Sequence, residues 1–418
     1  MFRSGKYQCR GGGILLACTS ELQFKTGLDE KLYDDFVKAS SDPQLLQSAK
    51  WAKVKSGWAH EFAGIFRGDE QIGACLILIK RLPLGFTMMY IPRGPVMDLT
   101  DMVSVKFFTD SLRRWAAAKR ALFVKIDPDI VYAAYHKEEQ RIVNRDAERS
   151  VAALMSAGFI HMGFTTGMST TIQPRFHMVC RADEYGEESF TGKGRRNYRT
   201  AAKNKFLTTE LRAADGLDDF EKVMKCTASR KGVSLRDKKY YGLLLDTYGN
   251  DAFLMLTYFD LQEAYDENGM LLDRCRTDAE ACPATSPKKL AKIKETLESL
   301  KKKESEYSAQ LADYGGRVCV AGTLTVMYGR RAEILYAGAD NAFRRLNAPY
   351  LTWDMTMREC FRRGMTEANM GGITGEGDGL ETFKSSFHPL IYEYAGEFDL
   401  PVNRILYRPA KKFYMMRR

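Results

Sequence analysis

Apolar residues fall three and four apart in LDEKLYDDFVKAS and in DPQLLQSAKWAKVK, within residues 28–55, and that spacing predicts two helices. The period then shortens. EFAGIFRGDEQIGACLILIKRLP reads as a hairpin turned at Arg67 to Asp69, and GFTMMYIPRGPV reads as a third strand that ends at its prolines. A helix over 102–119 and a strand from Leu122 to Pro128 complete the unit. The same order then returns. AFLMLTYF and GRVCVAGTLTVMYGRRAEILYAGAD supply three strands, APYLTWDMTMRECFRRG an amphipathic helix and MTEANMGG a strand. Tyr90 to Asp127 and Tyr336 to Gly372 enclose nearly equal lengths, which implies an internal duplication.

A segment of different pattern interrupts the second unit. Leu261, Tyr265, Leu272, Cys275, Ala279 and Cys282 follow a heptad seam with Asn268 at its polar position. After Pro283 a second seam runs through Leu290, Ile293, Leu297, Leu300, Tyr307 and Leu311, broken by Glu304. The pair predicts an antiparallel helical hairpin over 260–315, with Ser286 as N-cap and Pro287 at the first helical position, where a missing N–H costs nothing. Two readings of this arm stand: a solvated coiled coil, or an arm for RNA or a protein partner.

Length and composition narrow the picture. A chain of 418 residues exceeds one ordinary core, so two domains or one fold of two halves is expected. A net charge of +10 points to an anionic partner, whether nucleic acid, phosphorylated substrate or lipid surface. The nine cysteines show no CxxC spacing and the five histidines no HExxH, so neither a disulfide frame nor a metal site is expected. Ile14 to Cys18, ILLAC, looks like a lipoprotein cleavage box, but its apolar run is shorter than the about 7–15 residues of a signal core. No run approaches the about 20 apolar residues of a membrane span. The expected location is cytoplasmic, with peripheral contact with a membrane surface.

Three stretches carry candidate chemistry. GKGRRNYRTAAKNK, Gly192 to Lys205, holds six basic residues and no acid. On a helix, Arg195, Arg199 and Lys203 share one face, which would repel itself unless an anion answered it; the alternative is a solvated face. In GVSLRDKKYY, a helix from Arg236 onward would put Arg236 and Tyr240 together, a planar phosphate donor beside an aromatic hydroxyl. Finally, GGITGEGDGLETFKSSFHP threads glycines and acids toward Lys384, between Phe383 and Phe387. Its spacing fits neither a P-loop nor a dinucleotide loop. Without further context, Lys384 reads as a surface lysine snorkelling over aromatic rings.

QSAKWAKVK, YIPRGPV, VKIDPD, RRNYRTAAK, VSLRDKKYY, YAGAD followed by NAPYLTWDM, the Lys384 block and IYEYAGEFDLPVN together resemble the Fem/Mur (FemABX) peptidyltransferases, in order over residues 40–405. The resemblance implies an α/β (α+β) fold of two tandem GNAT-like halves, 1–180 and 181–418, with the helical arm inserted in the second. It implies transfer of an amino acid from aminoacyl-tRNA to the side-chain amine of the third stem-peptide residue of a peptidoglycan precursor. No cofactor is implied beyond aminoacyl-tRNA as co-substrate; a monomer acting on a UDP-linked or lipid-linked precursor is expected. The arm and the cationic KKFYMMRR lean toward the lipid-linked form.

By the same resemblance Lys384 would donate to the oxyanion of the tetrahedral intermediate, desolvated by Phe383 and Phe387, and Asp127 would lie near the acceptor amine. Arg236 and Tyr240 would bind the diphosphate region and Tyr336 would line that cleft. Lys55 would contact the precursor, a role Lys53 fits nearly as well. Arg195, Arg196, Arg199 and Lys203 would bind tRNA. Two other functions compete: an acetyl-CoA-dependent GNAT N-acyltransferase and a non-catalytic basic RNA-binding protein. The first needs an [RQ]xxGx[GA] pyrophosphate turn at a helix N-terminus, and none precedes helix 102 or helix 349. The second leaves the Lys384 block without a purpose.

Overall fold

The computed structural model describes residues 21–167, 171–232, 235–283, 285–374 and 377–416, so the Ile14–Cys18 stretch lies outside the described residues. Strand β1 (Leu22–Thr26) leads into helices α1 (Glu30–Ala39) and α2 (Ala49–Val54), each started by a side-chain cap. Asp29 accepts from the Lys31 and Leu32 amides, and Ser48 from the Trp51 amide. Strands β2 (Ala59–Arg67), β3 (Glu70–Arg81) and β4 (Thr87–Ile91) form an antiparallel meander, followed by short β5 (Val96–Met97). Helix α3 (Met102–Ala118) carries the chain back so that β6 (Ala121–Ile126) runs parallel to β4. Strand β7 (Val131–Tyr135), helix α4 (Arg145–Ala157) and strands β8 (Ile160–His161) and β9 (Phe176–Arg181) follow.

The second half begins with α5 (Gly192–Ala202), β10 (Leu207–Arg212), α6 (Leu217–Lys231), α7 (Lys238–Tyr248) and β11 (Ala252–Asp260). Helices α8 (Leu261–Glu280) and α9 (Pro287–Tyr314) pack as the predicted hairpin, in which buried Asn268 donates through Nδ2 to the Leu300 carbonyl at 3.0 Å. Ser286 occupies the N-cap position of α9, but its side chain makes no capping bond there; Pro287 opens the helix. Strands β12 (Arg317–Tyr328) and β13 (Arg331–Ala339), helix α10 (Ala348–Arg362) and β14 (Glu367–Ile373) complete the repeat. Here β14 runs parallel to β13 as β6 does to β4, so each half is a GNAT-like unit of meander, helix and parallel strand. Helix α11 (Gly379–Ser385), strands β15 (Leu390–Tyr394) and β16 (Phe398–Pro401) and helix α12 (Tyr407–Met416) end the described chain. No described helix is long and apolar enough to cross a membrane.

The sheets exchange strands. The first has the order β1-β2-β3-β4-β6-β16-β8, with β5 on β3, so the late strand β16 pairs with β6, Leu400 opposite Val124. The second has the order β10-β11-β12-β13-β14-β9-β15-β7. Strand β9 therefore sits inside the second sheet, between β14 and β15. One apolar cluster also draws on both halves, joining Tyr33, Trp51 and Leu76 to Phe220, Leu254 and Leu324.

Candidate active site

Lys384 lies near the end of α11, a helix capped by Asp378 through the Glu381 amide. It is no surface lysine: 4% of it is exposed, and Nζ donates to the carbonyls of Gly371 at 3.1 Å and Gly372 at 2.9 Å. Consecutive carbonyls of a regular strand point to opposite sides. Both reach one ammonium here because β14 breaks register with β9 between Asn369 and Gly372, and Gly371 sits at φ +81°. Phe383 and Phe387 pack on each other at 5.6 Å and on Tyr350 at 5.0 and 6.0 Å, anchoring α11 on the core.

Asp127 follows β6 and is 2% exposed. Its carboxylate accepts from Tyr90 Oη at 2.8 Å and from the Arg93 amide at 2.8 Å. Burial raises its pKa to about 6, with the Arg93 charge pulling the other way. Arg93 extends the network: its guanidinium stacks on Tyr394 at 4.0 Å and Nη2 bonds His177 Nε2 at 3.1 Å. Burial and Arg93 push the His177 pKa well down, so its ring is neutral. Nε2 then accepts from Arg93, which leaves Nδ1–H to donate to Asn369 Oδ1 at 3.1 Å. The Gly371 amide donates to the same oxygen at 2.8 Å. A continuous hydrogen-bonded chain thus joins Asp127 in the first half to the glycine that holds Lys384 in the second. Glu333 also bonds the Asn369 side chain, and burial pushes it up to about 7 against the pull of Arg331 and Arg93.

A second cluster gathers Lys55, Trp51, Arg236, Tyr240 and Tyr336. Lys55 Nζ lies 4.9 Å from the Trp51 ring centre and 5.8 Å from that of Tyr240. Arg236 stacks on Tyr240 at 5.0 Å, and Tyr336 hydrogen-bonds with Tyr240 and Arg236. Burial first, and then the Arg236 charge, lowers the Lys55 pKa to about 8. Arg236 precedes α7 instead of opening it; Asp237 is the cap, and the first turn still brings Tyr240 under the guanidinium. Lys53 points elsewhere, pairing with Glu30 at 2.6 Å.

The basic run forms α5 as expected, yet its charges are partly answered from within. Arg195 donates to the carbonyls of Glu187, Glu188 and Phe190, and Arg199 pairs with Glu187 at 2.5 Å. Tyr198 packs edge-on against Phe190 at 5.6 Å. Lys193, Arg196 and Lys203 are exposed. Helix α5 also presses on the Lys384 segment: a Cβ at Gly194 would lie 2.5 Å from the Ser386 carbonyl, and the Thr191 amide donates to that same oxygen at 3.1 Å.

Arg93 stands inside the quoted YIPRGPV, but nothing in the sequence marked its side chain as the bridge. His177 and Asn369 carried no signal at all, since their roles arise from the β9–β14 pairing. Beside α11 lies a cavity of about 440 Å³ lined by Thr227, Arg230, Gly338, Trp353, Leu380 and Phe383 among others.

Two tandem units joined by this network define an acyltransferase-like architecture, and the comparisons give its family. The chain matches the FemAB family model over residues 28–414 and belongs to that family. It is 28% identical over 409 residues to a lipid II:glycine glycyltransferase of Staphylococcus aureus strain MRSA252, covering 92% of this chain and 94% of that protein. A lipid II:glycine glycyltransferase of Staphylococcus saprophyticus is 27% identical over 412 residues, with the same coverage of each chain. The crystal structure of FemX superposes with a TM-score of 0.72 at 26% identity, covering 93% of this chain and 99% of that one.

Proposed function

We propose that this chain transfers glycine from glycyl-tRNA to the side-chain amine of the third stem-peptide residue of a lipid-linked peptidoglycan precursor. Amino-acid transfer from aminoacyl-tRNA to a precursor stem peptide is the activity of its family. Glycine and the lipid-linked acceptor are supported by the glycyltransferase relatives. The observation that carries the acceptor reading is the Lys55–Arg236 pair, two cations close enough that one depresses the other's pKa. A diphosphate would answer both, with Tyr240 and Tyr336 supplying hydroxyls.

The acceptor amine, deprotonated with the help of Asp127, attacks the ester carbonyl. A C–N bond forms, and the carbonyl oxygen takes the negative charge toward Lys384. Collapse breaks the ester C–O bond, and the ribose hydroxyl of the tRNA leaves with a proton. A preorganised donor at such an oxygen is worth about 3–4 kcal/mol. The cavity beside α11 takes the acceptor end of the tRNA, with Trp353 and Phe383 as aromatic walls and Arg230 as a phosphate partner. Helix α5 holds the tRNA backbone through Arg196 and Lys203, while Arg195 and Arg199 brace the turn before it.

The test incubates the protein with a mixture of charged tRNAs and each precursor form, then reads the mass added to the stem peptide. One glycyl residue on the lipid-linked form is expected. Another residue, or transfer only to the UDP-linked form, would replace that part of the reading. An acetylated product from acetyl-CoA would overturn it.

A further inference from the structure

Outside the catalytic cleft, a cavity of about 390 Å³ opens between α12 and the turn that joins β3 to β4. Leu82, Phe86, Leu122, Phe123, Leu406 and Tyr414 are among its apolar walls, and Lys80 and Arg81 stand at its lip. Two aliphatic side chains project beside it into water: Leu84 is 85% exposed and Ile405 is 87% exposed. Neither is loosely held. Leu84 sits at φ +60°, where an L side chain is strained, and Arg120 Nη2 donates to its carbonyl at 3.1 Å while stacking on Phe86 at 5.1 Å. The Ile405 amide donates to Asn403 Oδ1 at 3.2 Å. The fold spends strain and hydrogen bonds on presenting apolar tips.

The charge around these tips has one sign. Residues 80–88, 119–123 and 402–412 contain no Asp or Glu. They carry Lys80, Arg81, Lys119, Arg120, Arg404, Arg408 and Lys412, all exposed. An apolar groove with bare aliphatic tips and a purely cationic rim complements a surface that is anionic at its face and apolar beneath. The position suits that reading too. Lys80 Nζ lies 5.5 Å over the Trp58 ring, and the Trp58 amide donates to the Lys55 carbonyl at 2.8 Å, so the rim adjoins the Lys55–Arg236 cluster.

We infer that this face, the groove beneath α12 with Leu84 and Ile405 at its edge, seats the protein on the surface of an anionic phospholipid bilayer. The inference rests on the reading of a lipid-linked acceptor. A diphosphate held by Lys55 and Arg236 then lies at headgroup level, and the stem peptide reaches Lys384 without the lipid leaving the membrane.

The test is flotation of the full chain, without precursor or tRNA, with phosphatidylcholine vesicles and with vesicles containing 30%, roughly the anionic fraction that makes a strongly charged surface, of phosphatidylglycerol. Binding only to the anionic vesicles is expected. Leu84→Glu with Ile405→Glu, and separately Arg81→Glu with Arg404→Glu, are each expected to lower partitioning at least about tenfold. All four side chains are exposed, so melting temperature and transfer to a detergent-dispersed acceptor should stay unchanged, while transfer to a vesicle-borne acceptor falls. Failure of the wild type to float, or undiminished floating of either variant, overturns the inference. So does a wild-type dimer in gel filtration that the Leu84 and Ile405 changes dissolve, which would make the face a contact between two copies. Loss of tRNA affinity with unchanged floating in the Arg81 and Arg404 variant would make it a nucleic-acid surface. Vesicle binding without any amino-acid transfer would leave this inference standing and sink the proposed reaction instead.

Discussion

Two lysines, 55 and 384, meet opposite electrostatic surroundings, and their tests differ accordingly. Lys384 is buried and its Nζ donates to two carbonyls, so its charge is supported before any substrate arrives. Replacement by methionine keeps most of the apolar stem and removes the donor. Turnover is expected to fall about 10²- to 10³-fold with precursor and tRNA affinities nearly intact. The Gly371 and Gly372 carbonyls lose a partner in the same variant, at about 1–3 kcal/mol for an orphaned buried group. Turnover must therefore be measured well below the variant's own melting temperature, and near-normal kcat there would remove the oxyanion role. Lys55, by contrast, has burial and Arg236 working against its charge, which drops its pKa from 10.5 to about 8. The fold releases a proton that the unfolded chain keeps between those values, so this residue makes stability rise with pH across that window. Anion binding runs the other way, because the charged form grips the diphosphate and is lost above about pH 8. The KM for precursor is expected to climb above that pH in the wild type and to stay flat in Lys55→Arg, whose charge persists beyond pH 12 or so. Parallel rises in both proteins would place the titrating group elsewhere.

At the scale of elements, helix α5 separates what a charge run announces from what it does. The sequence put Arg195, Arg199 and Lys203 on one face, yet Arg195 is spent on three carbonyls and Arg199 on Glu187. The residues left for phosphate are Lys193 and Arg196 on the helix and Lys203 at its C-cap, all exposed. Replacing these three by alanine is expected to flatten the slope of log affinity for tRNA against log salt by about 2–3 units. Replacing Arg195 alone should instead lower the melting temperature and leave the slope unchanged. An unaltered slope in the triple variant would show a merely solvated face. The same contrast tells what was legible beforehand. Period and turn chemistry exposed the two meanders, α3, α10 and the α8–α9 hairpin, because each is defined by its own residues. The Lys384 block and the Arg236–Tyr240 spacing were legible as local motifs. Partner-dependent features were not. Nothing local says that β16 returns to β6, that Phe383 and Phe387 anchor α11 through Tyr350, or that His177 and Asn369 bridge Arg93 to Gly371.

For the whole molecule, the strand exchange decides how stability is shared. A cut at residue 180 leaves the first fragment without β16, the strand that covers β6 and carries β8. It also takes β7 and nearly all of β9 from the second fragment. Since β9 lies between β14 and β15, its loss splits the second sheet rather than trimming an edge. Polar contacts stitch the same seam: Arg331 pairs with Asp129 at 2.6 Å and with Asp42 at 2.8 Å, and Tyr328 Oη donates to Asp34 Oδ1 at 2.7 Å. Ser48 and Tyr248 share a buried hydroxyl–hydroxyl bond at 2.8 Å. Breaking a buried ion pair typically costs about 3–5 kcal/mol and orphaning a buried polar group about 1–3 kcal/mol, so neither half can shed the other cheaply. Fragments 1–180 and 181–418, expressed separately, are therefore expected to lack a cooperative melt. The intact chain is expected to unfold in one transition despite its two GNAT-like units, although chains of this size usually unfold domain by domain. Tryptophan reporters allow the check, because Trp115 lies in α3 and Trp353 in α10. Variants that keep Trp115 or Trp353 as the sole one of the chain's four tryptophans, the other three replaced by phenylalanine, should give coincident denaturant midpoints, matching that of far-ultraviolet circular dichroism. Two separated midpoints, or a soluble 181–418 fragment that melts cooperatively, would mean that the exchanged strands are dispensable and that the sites at Lys55 and Lys384 are carried on independently stable bodies.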